Sequence, residues 1–290
     1  MKQNFDGIFP ALLTPLNEDK TVNVGAVERL LDRIYSHGVD GVYLAGSTGE
    51  GLLLGASERQ KLIEAAVRSS PPDKKVILHV GASSLEETLP LLRHASTLPL
   101  AAVSSLPPAG STFPSLLHFY KQLAANTDLP LIVYYFPAIG GELPVDQLLE
   151  LAQIPGVVGI KYTDYDLYKL SLLAESGSVM FNGRDEVLAA GLLMGATGGI
   201  GSTYNAFPHL YVKLLAAASR DDWAQARAYQ RTINQAITAL LRFPLVPALK
   251  EFMSWQDIPC GPSLAAVPYL DAVQRKQLRS SLEFLWRLPD

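Results

Sequence analysis

Residues 157–163, VVGIKYT, form a β-rich apolar run with a lysine, Lys161, inside it. Burial disfavours an ammonium ion and lowers its pKa, and a neutral amine condenses with a ketone or aldehyde to give a Schiff base. A lysine that snorkels to a rim and pairs with Asp164 or Asp185 is the bland alternative. Strand position alone leaves both open.

Two further stretches could do chemistry beside such an amine. GSTGEG (46–51) sets Ser47 and Thr48 between glycines. Backbone N–H groups converging there, with two hydroxyls, suit the two oxygens of a carboxylate; a tight turn before a helix is the structural alternative. VYYFP (133–137) places Tyr134 beside Tyr135, so in a strand the two face opposite ways. A phenol near an amine or iminium can relay protons, although aromatic core residues are commoner. Thr163, Asp185 and Ser202 are the other polar residues near the ends of β-rich runs. Asp185 with Glu186, taken alone, reads as a cap for the helix that follows.

Other chemistries lack their signatures. His37, His79, His94, His118 and His209 show no H-x-H or H-x-x-x-H spacing, so metal ligation is not expected. There is no G-x-S-x-G elbow, and GGIGSTY has Tyr204 where a dinucleotide loop needs its last glycine. Net charge is −4 with no basic cluster, which disfavours nucleic acid. A single cysteine, Cys260, precludes an internal disulfide and fits a reducing compartment. No stretch approaches the roughly 18 uncharged apolar residues of a membrane span. The opening MKQNFDGIFPALLTP, broken by Pro10 and Pro15, does not read as a signal peptide, so cytoplasm is the expected setting.

These residues need a scaffold, and the chain alternates the elements of one. With 290 residues, 48% hydrophobic and 18% charged, it can bury a large core. Runs apolar on both faces are read as strands at 7–13, 41–46, 75–82, 101–106, 130–136, 157–163, 179–183 and 198–204. Amphipathic stretches between them are read as helices at 23–38, 57–70, 85–96, 114–126, 145–153, 166–175 and 185–194. Gly38 closes the first, and Ser57 with Gln60 forms a capping-box pattern on the second. Further helices are expected at 208–219, 221–242, 246–254 and 270–285. The alternation predicts an α/β fold, a (β/α)8 TIM barrel with a C-terminal helical extension. The barrel core is expected at 1–205, and the last barrel helix and extension at 206–290, as a single structural unit. A doubly wound sheet would want a glycine loop after the first strand, which FPALLTPL lacks. In a barrel, residues at the C-terminal strand ends line the site, which is where the unusual polar residues lie.

GSTGEGLLLGASERQKLIE, VYYFPAIGG, GIKYTDYDLY, FNGRDE and MGATGGIGSTYN occur in the order and spacing of the dihydrodipicolinate synthase / N-acetylneuraminate lyase family, which the chain resembles from about GIFPALLTPL to IPCGPSLAAVP. The resemblance implies a Schiff-base (class I) aldolase on a 2-keto acid containing a pyruvate moiety. It needs no cofactor and no metal, is usually a homotetramer, and has no nucleic-acid or membrane partner. By position it implies Lys161 as the Schiff-base lysine and Tyr134 as the proton relay. Ser47 and Thr48 would hold the carboxylate. Thr163, Gly183, Asp185, Glu186 and Ser202 would contact a polyhydroxy tail, as in the sialic-acid lyase branch. Ile139 stands where dihydrodipicolinate synthases carry an arginine, which argues against that activity. LPPAGST (106–112) lacks the aromatic pair many members have after strand four, and Arg184 and Tyr135 also depart from the common pattern. A 2-keto-3-deoxy sugar acid aldolase or dehydratase, and a non-catalytic 2-keto acid binder, are the competing expectations.

Overall fold

The structure is a computed structural model that describes residues 5–287. The outermost residues of the two expected stretches, 1–4 and 288–290, lie outside these. Eight strands run in parallel: β1 (Gly7–Pro10), β2 (Gly41–Leu44), β3 (Lys75–His79), β4 (Ala102–Ser105), β5 (Leu131–Tyr135), β6 (Val157–Tyr162), β7 (Val179–Asn182) and β8 (Gly198–Gly201). Neighbours follow in the order β1-β8-β7-β6-β5-β4-β3-β2. A parallel bridge between Ala11 and Tyr43, with Leu12 N donating to Tyr43 O at 2.9 Å, joins the two ends of the sheet into a barrel.

The surrounding helices are α1 (Val24–Ser36), α2 (Ala56–Ser69), α3 (Leu85–Ala95), α4 (Phe113–Ala125), the single turn α5 (Pro137–Gly140), α6 (Val145–Ala152), α7 (Leu167–Ala174), α8 (Leu188–Leu193) and α9 (Pro208–Ala218). Beyond them come α10 (Trp223–Leu240), α11 (Leu245–Ser254) and α12 (Ala272–Leu282).

Strand alternation divides the apolar residues into two cores. Phe9, Tyr43, Ile77, Ile132, Phe181 and Ile200 fill the barrel interior. Their neighbours in sequence, Ile8, Val42 and Leu44 among them, face the helices. The alternation also settles the tyrosine pair: Tyr134 points inward and Tyr135 outward. Helix α1 shows how the outer layer forms. Asn23 caps its start by accepting from Ala26 N, and Val27, Leu30, Leu31 and Ile34 are buried along one face. Each such side chain contributes roughly 1.5–3 kcal/mol on burial. Gly38, at φ +81°, ends the helix as its sequence position predicts.

Two expectations are corrected. The strands are shorter than their apolar runs, because tilted barrel strands splay at their ends and the chain leaves its neighbours to build loops. Ser57 and Gln60 form no capping box. Arg59 N bonds Gly55 O, so the helix begins before Ser57, and Gly55 is its cap. Arg59 is drawn inward, where its guanidinium donates to His79 O at 2.7 Å and Gly81 O at 2.9 Å.

Candidate active site

The C-terminal strand ends enclose a cavity of about 290 Å³. All nine residues singled out from the sequence line it: Lys161, Tyr134, Ser47, Thr48, Thr163, Gly183, Asp185, Glu186 and Ser202. Strand register brings Tyr134 of β5 opposite Lys161 of β6. Thr163 and Ser202 are each the first residue past their strand rather than inside it, and Asp185 follows β7 by three residues.

Lys161 is 4% exposed. Its Nζ lies 3.8 Å from the Tyr134 ring centroid and 4.1 Å from that of Tyr43. No carboxylate stands within 4.0 Å of it among the described residues, so the rim ion pair with Asp164 or Asp185 is not formed. Burial lowers its pKa, while Tyr134 and, more weakly, Asp185 oppose that shift. The two ring faces favour the cation. A neutral amine at the cavity floor is accessible at a smaller cost than it is in water.

The GSTGEG turn folds back on itself through Glu50 N to Ser47 O and Gly51 N to Gly46 O, both at 3.1 Å. Thr14 Oγ1 pins it by donating to Gly49 O at 2.6 Å. Thr48 is buried and shares a 2.7 Å hydrogen bond with Ser202 Oγ, which joins the turn after β2 to the end of β8; Ser47 is exposed. Glu50 adopts φ 53° and turns away from the cavity. Its carboxylate takes Leu264 N at 2.8 Å, Ala265 N at 2.9 Å and the Ser263 hydroxyl, and pairs with Lys250 of α11 at 3.2 Å.

Asp185 and Glu186 cap no helix. They begin a short 3-10 turn, and neither side chain closes it. Asp185 Oδ2 accepts from Thr203 N at 2.8 Å and Thr203 Oγ1 at 2.6 Å. Burial raises its pKa to about 6 despite those two donors. Glu186 accepts from the Tyr165 hydroxyl. Two glycines are required by this packing. A Cβ on Gly201 would lie 2.1 Å from Asp185 Oδ1, and one on Gly183 would lie 2.1 Å from Thr163 Oγ1.

Sequence reasoning missed three contributions. Tyr43, read as an apolar strand residue, is half of the aromatic cage around Lys161. Gln230 and Asn234 of α10 hold the loop after β7, donating to the Asp185 and Glu186 carbonyls at 3.0 Å each. Ile237 of α10, Leu241 just past its end, and Leu245 and Val246 at the start of α11 supply an apolar wall. Among the described residues no three His, Cys, Asp or Glu side chains come together in a metal-holding group. No described helix is long and apolar enough to cross a membrane.

Residues 4–283 match the sequence profile of the Dihydrodipicolinate synthetase family. The N-acetylneuraminate lyase of Rhizobium meliloti (strain 1021) is 33% identical over 288 residues, covering 97% of this chain and 96% of that protein. The N-acetylneuraminate lyase of Citrobacter koseri is 34% identical over 268 residues, 90% of each. The solved N-acetylneuraminate lyase of Proteus mirabilis superposes with a TM-score of 0.91 at 28% identity, covering 97% of this chain and 99% of that one.

Proposed function

Since the chain belongs to the Dihydrodipicolinate synthetase family, we propose that it is a carbon–carbon lyase that cleaves N-acetylneuraminate to pyruvate and N-acetylmannosamine through a Schiff base on Lys161. The observation that carries this reading is a buried amine, caged by Tyr43 and Tyr134 and without a carboxylate partner, at the floor of a cavity lined by hydroxyls and acids.

Ser47, Thr48 and the amides of their turn take the substrate carboxylate. Neutral Lys161 adds to C2, and loss of water leaves a protonated imine. That cation draws the C3–C4 bonding pair as the C4 hydroxyl gives its proton to the Tyr134 oxygen while the Tyr134 phenol passes its own proton to the substrate carboxylate, releasing the aldehyde and leaving the pyruvate enamine. Protonation at C3 and hydrolysis of the imine then return pyruvate and Lys161. The fixed dipoles around the iminium act where charge develops, which is where electrostatic stabilisation accelerates a step. Thr163, Gly183, Asp185, Glu186 and Ser202 face the polyhydroxy tail. Asp185, held by Thr203, offers a fixed acceptor there.

The same reading takes the barrel through residue 205 and the helices of 206–290 as one unit, since α11 reaches the cavity wall. It also expects a homotetramer acting in the cytoplasm on a small 2-keto acid, without nucleic acid or cofactor. A panel of N-acetylneuraminate, 2-keto-3-deoxygluconate and other 2-keto acids, assayed for pyruvate release, tests it. N-acetylneuraminate should be cleaved. Turnover of 2-keto-3-deoxygluconate alone would transfer the chain to that branch, and pyruvate binding without any turnover would make it a binding protein.

A further inference from the structure

The loop after β7 carries a cation that the aldol chemistry does not use. Arg184 lines the cavity, with its guanidinium carbon 4.3 Å from the Tyr165 ring centroid and 5.2 Å from that of Phe136. Asn182 Nδ2 donates to the Arg184 carbonyl at 2.6 Å and fixes the backbone beneath it. Stacking against rings engages the face of a guanidinium and leaves its N–H donors, which lie in the plane, unspent. Among the described residues no carboxylate comes within 4.0 Å of Arg184, although the next two residues in the chain are acids. Asp185 is committed to Thr203, and Glu186 accepts from the Tyr165 hydroxyl. Arg184 Nε is buried with no hydrogen-bond partner.

A guanidinium clamped by aromatic rings on a cavity wall, with no counter-ion, matches an oxyanion in both charge and geometry. A tail of neutral hydroxyls would leave that charge uncompensated in a partly desolvated wall. We infer that the substrate's far end, opposite the 2-keto acid, carries an oxyanion taken by Arg184, either a phosphate ester or a second carboxylate. This rests on the aldol reading above and narrows its substrate class. The tail's hydroxyls face Asp185, and its terminal anion lies against Arg184 on the Phe136 and Tyr165 side.

The test compares kcat/KM for N-acetylneuraminate, its 9-phosphate and its C9 carboxylic acid, in wild type, Arg184→Gln and Arg184→Lys. One of the two anionic substrates should be preferred by at least about tenfold in wild type, the size of one good charge-assisted contact. The preference should shrink as salt is raised, fall below about threefold in Arg184→Gln, and be partly kept in Arg184→Lys. Parity or preference for the neutral substrate in wild type overturns the inference alone, as does a preference that survives in Arg184→Gln. No pyruvate from any of the three overturns the N-acetylneuraminate reading itself. Borohydride trapping of pyruvate checks that Arg184→Gln is folded; if it is not, the wild-type ratio and its salt dependence decide.

Discussion

Lys161 at the barrel mouth and Lys250 in α11 are both nearly closed to solvent, at 4% and 5% exposure, yet their surroundings assign them opposite work. Burial lowers the pKa of each. Lys250 meets the Glu50 carboxylate at 3.2 Å and donates to Pro262 O, so its charge is balanced and held. Lys161 meets two aromatic faces and no carboxylate. Under the proposed mechanism, desolvation alone therefore does not make a nucleophile. A buried lysine is poised to lose its proton where the counter-charge has been left out, and it becomes a fastener where one is supplied. Both lysines serve one loop. Glu50 ties the GSTGEG turn to the C-terminal extension, while Thr48 of the same turn faces the cavity that holds Lys161.

Substitution of each lysine sharpens the contrast most. Lys161→Arg should cost on the order of 10⁴-fold or more in kcat with little change in thermal stability, because a guanidinium stays charged and is a poor nucleophile. Near-normal turnover in this variant would erase the distinction between the two sites. Tyr134→Phe keeps the ring beside Lys161 but removes the hydroxyl. Pyruvate should still form its adduct while kcat falls by about 10²–10⁴-fold, and equal losses of both would remove the relay role.

On the fastener side, Glu50→Gln leaves Lys250 charged and buried. It should cost about 3–5 kcal/mol in urea denaturation, and adding Lys250→Met should recover part of that loss. Additive losses in the double variant would mean that the pair is not coupled. The smallest effect is expected at Asp185. Its pKa is raised to about 6 from 3.8, so the folded state holds this proton more tightly than the unfolded chain. Its contribution to stability accordingly falls as pH rises from about 4 to about 6, by on the order of 2–3 kcal/mol. Asp185→Asn should flatten that slope in denaturation midpoints measured across this range. An unchanged slope would place the titration elsewhere.

The barrel was legible because its strands are buried on both faces and its helices keep an apolar stripe, so each element announces itself locally. The candidate site was legible as one cavity lining because its polar residues interrupt those apolar runs near the ends, as Lys161 does in VVGIKYT. What escaped depends on distance along the chain. Tyr43 reads as one more strand aromatic until the barrel closes and carries it to Lys161. Glu50 and Lys250 are 200 residues apart, and nothing local marks either as half of a pair. The capping box at Ser57 failed for a related reason: inward bonds from Arg59 to His79 and Gly81, absent from any local pattern, accompany a helix start ahead of Ser57.

Reduction of the wild-type protein with borohydride in the presence of pyruvate, followed by peptide mass mapping, addresses the central assignment most directly. One reduced pyruvate per chain, on the peptide containing Lys161 and absent from that containing Lys250, is the predicted result. Label on Lys250, label spread over exposed lysines, or no label at saturating pyruvate would contradict it.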